Sequence, residues 1–286
     1  MKVPLTISLL LLVSWTAQAN EIDNLKTFDD VNQFLKAKVL PKDFETVILD
    51  PSKANTSNLY GKQKFYKLDL DRDGLTDLVV DGAYLLAVMD RGNARYKLSL
   101  IDQGSLFMFK YMLKNIQTSD QTPVLVIEGQ EDEINPRPPA KEKKIVYKFD
   151  GFVEFNPKPD KLDVSEVDFS TSGCFGSCPI FDLKISANRR AVFNAKAHNK
   201  ITGRFNGTLD AAAFNRLVDT INYIEIFKLK DAYSAPWTDD QGSSLSITFA
   251  DGRRVKISDY GMIGTFGLEN LYEQLLELRN TVKWNK

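Results

Sequence analysis

Two cysteines and one histidine in 286 residues leave little for soft-metal chemistry. Tetrahedral zinc takes four ligands, so an all-Cys/His zinc site cannot be assembled. Charge of one sign is also missing, since 37 Lys and Arg face 38 Asp and Glu for a formal net charge of −1. Such a balance supplies no field to draw the chain onto nucleic acid or an anionic membrane. After the first 19 residues no run approaches the ~18 apolar residues that a spanning helix needs. No P-loop, dinucleotide fingerprint, G-x-S-x-G, H-E-x-x-H or S-x-x-K pattern occurs, which removes the commonest catalytic signatures. What remains is 43% hydrophobic and 26% charged. That is globular composition, not disorder, collagen or coiled coil.

Lys2 supplies a positive start, and Val3 to Trp15 is almost wholly apolar around Leu9-Leu10-Leu11-Leu12-Val13. Ala17-Gln18-Ala19 then offers small residues at the subsites a signal peptidase reads. Residues 1–19 therefore read as a signal peptide with Asn20 first in the mature chain. No Cys near that point supports lipid attachment. The expectation is an exported protein, periplasmic or secreted, with no transmembrane segment after cleavage.

Behind the signal, Thr27 reads as an N-cap before Phe28, Val31, Phe34 and Leu35, with Asp29 and Asp30 in the first turn. Short β-type runs follow at Glu45–Leu49, Lys64–Leu70, Leu75–Val80, Tyr84–Asp90, Arg95–Ile101, Phe107–Leu113, Val124–Glu128, Lys144–Phe149 and Phe152–Phe155. Asp150-Gly151 between the last two is a hairpin signal. Acidic, proline-rich Glu131 to Pro139 reads as an exposed loop. Asn156-Pro157-Lys158-Pro159-Asp160 marks a domain boundary.

Beyond it, strands are expected at Val164–Ser170, Phe181–Ser186, Ala191–Ala197, Ile201–Asn206, Ser244–Ala250 and Arg253–Asp259, the last two joined through Asp251-Gly252. One helix, capped by Thr208, carries Phe214, Leu217, Val218 and Ile221; another runs from Phe266 to Val282. The expected fold class is α+β. It comprises the signal peptide (1–19), a β-rich domain (20–156), and an α+β domain (161–286) of antiparallel strands with two helices on one face.

Asp69-Leu70-Asp71-Arg72-Asp73-Gly74-Leu75-Thr76-Asp77 is the most specific chemical signal. Carboxylates of Asp69, Asp71, Asp73 and Asp77 with the carbonyl of Leu75 can wrap one Ca²⁺, and Gly74 permits the sharp turn. An EF-hand loop would place Glu at its twelfth position, where this chain has Val80, and the flanks read as strands. The stretch from Lys64 to Asp81 resembles the strand–loop–strand calcium loop of FG-GAP and VCBS-type repeats. The expected cofactor is a structural calcium of extracellular-module affinity, ~10⁻⁴ to 10⁻³ M. A metal-free acidic turn is the alternative, at the cost of repulsion among its carboxylates.

Gly173-Cys174-Phe175-Gly176-Ser177-Cys178-Pro179 holds both cysteines. Extended backbone would separate their Cα atoms by ~13 Å, whereas a tight turn brings them to ~6 Å, within disulfide range. An oxidising compartment favours pairing of Cys174 with Cys178. The alternative is a redox dithiol or a Cys nucleophile, with His198 as the one available imidazole. Thioredoxin-type sites, however, use two intervening residues at a helix start rather than three before a strand. The segment Gly173–Ile185 resembles the opening of an uncharacterised bacterial exported domain family, a domain of unknown function whose members begin G-C-x-G-x-C-P. The resemblance extends over about Val164 to Val282. It implies export and the α+β arrangement, and no reaction.

Thr238, Asp239 and Asp240, after Trp237 and near Asp231, can form a polar cluster beside the cysteine loop. Paired carboxylates serve as acid and base when their environments differ; an Asp-rich loop also caps its own backbone. The functional expectation is an exported, non-enzymatic binding or scaffold protein of the bacterial cell envelope, its partner an unidentified protein or glycan. Two alternatives stand beside it. One is a thiol- or carboxylate-dependent enzyme using Cys174/Cys178 or Asp239/Asp240; the other is a calcium-dependent glycan-binding module with Tyr66 or Tyr84 beside the acidic loop.

Overall fold

The computed structural model describes residues 20–40, 64–82, 84–101, 110–130 and 142–286. The expected signal peptide, the strand at Glu45–Leu49, the start of the strand at Phe107–Leu113 and the loop from Glu131 to Pro139 lie outside the described residues. Among the described residues no helix is long and apolar enough to cross a membrane.

Helix α1 (Phe28–Phe34) starts where the sequence predicts. Thr27 Oγ1 accepts the Asp30 N–H at 3.1 Å, and the Asp30 carboxylate accepts the Thr27 N–H at 2.8 Å, a reciprocal cap. Its buried Val31 and Phe34 pack on an antiparallel sheet of β1 (Lys64–Leu68), β2 (Asp77–Asp81), β3 (Leu85–Asp90) and β4 (Tyr96–Leu100), against Leu78, Val80, Leu86 and Val88. The opposite face of that sheet, through Val79, Leu85, Ala87 and Met89, meets a second antiparallel sheet. Because β2 and β3 are covered on both faces, they read in sequence as continuous apolar runs rather than alternating ones.

The second sheet consists of β5 (Lys110–Ser119), β6 (Thr122–Gln130), β7 (Glu142–Lys148) and β8 (Gly151–Glu154). Leu125, Ile127, Ile145, Tyr147 and Phe152 face the first sheet. Val124, Val146 and Val153 on the other side join the core of the C-terminal half. Each of these valines contributes roughly 1.5–3 kcal/mol by leaving water. One sheet thus serves two cores, and the segment at 156–160 is tied down rather than a loose tether. Asn156 donates its N–H to Tyr223 Oη at 3.2 Å and its side-chain amide to the Tyr223 carbonyl at 2.7 Å.

The C-terminal half contains β9 (Val164–Thr171), β10 (Ile180–Ser186), β11 (Arg190–Ala197), β12 (Gly203–Thr208), α2 (Ala211–Tyr223), β13 (Ala232–Ser234), β14 (Gly242–Phe249), β15 (Arg254–Tyr260) and α3 (Phe266–Thr281). Its seven-stranded sheet runs β12-β11-β10-β9-β14-β15-β13. Phe169, Phe181, Leu183, Phe193 and Ile247 share a core with Leu217 and Ile221 of α2 and Leu268, Leu271 and Leu275 of α3. The α+β expectation stands at that level: antiparallel strands dominate, and the two longer helices lie in this half.

Local details depart from the sequence reading. Thr208 ends β12, and the cap of α2 is Asp210, whose Oδ1 accepts the Ala213 N–H at 2.7 Å. The short edge strand β13, absent from the sequence reading, pairs in parallel with β15. The β7–β8 turn is Phe149-Asp150, both residues in left-handed backbone, and Gly151 already belongs to β8. What Gly151 supplies is space: a Cβ there would collide with the Asn270 amide of α3. Gly151→Ala is therefore expected to cost about 1–2 kcal/mol of overpacking, read as a lower urea midpoint at unchanged slope. An unchanged midpoint would mean that Asn270 yields freely.

Candidate functional site

The acidic loop connects β1 to β2, and the structure gathers one ligand oxygen each of Asp69, Asp71 and Asp77 within 4.8 Å of one another. Asp69 is turned inward by the backbone, its oxygens accepting the N–H groups of Asp73 at 3.1 Å and Gly74 at 2.9 Å. Gly74 adopts a φ of 88°, the left-handed geometry foreseen for it. Asp73 is exposed and its Oδ1 accepts the Leu75 N–H at 2.8 Å. Asp77 is fully buried and accepts the N–H groups of Leu70 and Asp90 at 2.8 and 2.9 Å. Burial pushes its carboxyl up to about 7, with the charges of Asp71 and Asp73 adding to the rise. Asp71 is raised as well, first by burial and then by Asp73, while Arg91 pulls it back. Its Oδ1 is buried without a hydrogen-bond partner. An orphaned carboxylate oxygen, a buried carboxylate with raised proton affinity and three converging oxygens fit a hard dication.

Asp71 also meets a charged network. Arg91 bonds Asp71 and Asp150, both at 2.5 Å, and Tyr147 Oη at 2.8 Å; Lys97 closes on Asp150 at 2.6 Å. Burial works against ionised Asp150, but the bond and charge of Lys97, then Tyr147 and Arg91, hold its carboxyl below the usual range. This network forms one wall of a cleft of about 650 Å³ between the tips of the two N-terminal sheets, the 156–157 segment and the end of α2. Arg72, Asp120, Lys148, Phe149, Phe155 and Tyr223 complete much of its lining. Sequence reading missed this cleft, because its groups come from separate turns with no shared motif. Tyr66 and Tyr84, expected beside the acidic loop, do not line it; Tyr84 is buried against the core under α1.

Cys174 and Cys178 form a disulfide, with Cα atoms 5.7 Å apart, and no described cysteine is free. The cysteine loop and the 238–242 loop come together, as the sequence reading placed them. The Phe175 N–H donates to the Asp239 carbonyl at 2.9 Å, and Gln241 Nε2 donates to the carbonyls of Ser172 and Pro179 at 3.0 and 2.8 Å. The Phe175 ring stands out at the tip, 90% exposed. Asp240 spends its carboxylate on Trp237 Nε1 at 3.0 Å and the Gln241 N–H at 2.8 Å, and Asp239 accepts from Thr238 Oγ1 at 3.3 Å. The loop caps its own structure. His198 is exposed in a left-handed turn after β11.

No curated protein matches the chain. Residues 165–279, which run from β9 almost to the end of α3, match the family described as Domain of unknown function (DUF6438).

Proposed function

We propose that this chain is an exported, non-enzymatic binding or scaffold protein of the bacterial cell envelope. A structural Ca²⁺ held by Asp69, Asp71 and Asp77 and the Cys174–Cys178 disulfide brace its loops. The observation that supports the reading is the cysteine loop: its two sulfurs are bonded to each other, so a thiol nucleophile there requires a reductant first. Asp240 of the neighbouring loop likewise accepts two local hydrogen bonds. A rigid loop that presents an exposed aromatic ring suits recognition, because little flexibility is lost on contact.

Protein recovered from its native compartment is expected to begin at Asn20 and to resist alkylation without reductant. An uncut N-terminus, or two modified thiols by mass spectrometry, overturns the reading. In EDTA-treated protein, 10 mM calcium is expected to raise Tm by about 3–8 °C, from the ligand-linkage stabilisation at ~10⁻⁴ to 10⁻³ M affinity. No shift and no calorimetric heat would remove the metal.

A further inference from the structure

We infer that the cleft beside Arg91 binds a short, uncharged saccharide. The inference rests on the binding-protein reading and names a ligand class for it. The volume, about 650 Å³, lies within the range of small-molecule sites. The charged side chains on its walls balance: Arg72, Arg91 and Lys148 against Asp71, Asp120 and Asp150. Balanced walls give no net field to hold a phosphate or polyanion, and walls this polar do not suit a lipid. A polyhydroxylated ligand matches them, because a hydroxyl can donate to the Asp120 carboxylate while accepting from the Lys148 ammonium, outside the bonds that Arg91 makes with Asp71 and Asp150.

Aromatic faces supply the second half of the match. Phe149, Phe155 and Tyr223 line the cleft, and Phe149 meets Tyr223 edge-on at 5.6 Å between centroids. Lys148 Nζ lies 5.1 Å from the Phe149 centroid and 5.6 Å from that of Tyr223. The ammonium therefore lies over those two rings, and Phe155 is the lining ring left for the C–H face of a pyranose, with Lys148 as a donor to its hydroxyls in the same cleft. The site is also built before any ligand arrives. Asp120-Gln121 and Phe149-Asp150 are two-residue turns with every φ positive, and Arg91 and Lys97 clamp Asp150. Rigid tips lose little entropy on binding.

The test titrates maltotetraose, cellotetraose and tetra-N-acetylchitotetraose into the mature, calcium-loaded protein by calorimetry, with inorganic phosphate as comparator. At least one neutral tetrasaccharide is expected to give saturable heat, and phosphate none. Lys148→Ala removes a charged donor from an exposed position, and Phe155→Leu removes ring surface at similar bulk. Each is expected to weaken binding about tenfold, the loss of one good contact. Lys256→Ala, on the distant β15, is expected to change nothing. Heat from none of the three sugars, binding indifferent to both cleft variants, or binding of phosphate instead overturns the assignment. A sugar failure in protein that is cut at Asn20 and oxidised removes the ligand class alone and leaves the binding-protein reading standing.

Discussion

Asp77→Asn is expected to stabilise the metal-free protein at pH 7.5, by about 2 kcal/mol, while weakening its response to calcium. A carboxyl raised from 3.8 to about 7 by burial means that ionised Asp77 costs the folded state about 4 kcal/mol relative to its protonated form. Asn carries no charge to bury. It does forfeit something: the N–H groups of Leu70 and Asp90 both point at Asp77 oxygens, and an amide offers one oxygen. One underserved buried donor returns about 1–3 kcal/mol of that gain. The pH dependence has a definite sign. Between about pH 4 and 7 the folded chain holds this proton more tightly than the unfolded chain, so Asp77 makes metal-free stability fall as pH rises through that window. Urea midpoints in EDTA should show the variant gaining about 2–3 kcal/mol on the wild type between pH 5 and pH 7.5. With saturating calcium the order reverses at pH 7.5, because the cation neutralises Asp77, whereas Asn offers only an uncharged carbonyl and holds calcium more weakly. A variant that is less stable than wild type in EDTA at pH 7.5 would show that this carboxylate is buried for hydrogen bonding alone.

The approach of three carboxylates in the acidic loop was legible in the sequence because it is local, whereas Asp73, expected among the ligands with the Leu75 carbonyl, is exposed and accepts the Leu75 N–H. Asp69, Asp71 and Asp77 lie within nine positions, and Gly74 marks the turn that folds them together. The cysteine loop was legible for the same reason, down to the spacing that a bridge requires. Lateral relations were not. Val124-Leu125-Val126-Ile127 announces a buried strand, yet nothing in those residues says that Val124 and Leu125 serve different cores. Continuous apolar character records burial on both faces without naming the neighbours. The bonds of Asn156 to the end of α2 were likewise invisible in the Pro-rich segment. The cleft was hidden by the same limit: Arg91 in its turn reads as an ordinary surface cation until Asp71, Tyr147 and Asp150 are brought to it. Gly151 shows a subtler failure. Asp-Gly favours a two-residue turn, but the left-handed pair is Phe149-Asp150, and the glycine is needed where α3 crosses the strand.

Glu154→Ala is expected to cost about 3 kcal/mol. Glu154 ends β8, and its two carboxylate oxygens accept the N–H groups of Phe266 and Gly267, each at 2.9 Å. Those donors open the 16-residue helix α3, where the partial positive charge of the helix end favours a carboxylate. Charge-assisted bonds of this kind contribute about 1.5–3 kcal/mol each, partly recovered by water in the variant. Thr265 still accepts the Leu268 N–H at 3.2 Å, so the helix keeps one cap and does not unravel. Backbone geometry makes the contact specific: Gly267 carries no Cβ, and one added there would come within 2.6 Å of Ile224. Glu154→Gln retains one oxygen acceptor and is expected to lose about half as much. Calorimetry separates this from simple capping. If the shared sheet couples the two halves, both variants unfold in a single transition at lower Tm. If Glu154→Ala instead splits the melt in two, the carboxylate is the coupling, and the valines of β6, β7 and β8 are insufficient to hold the halves together without it.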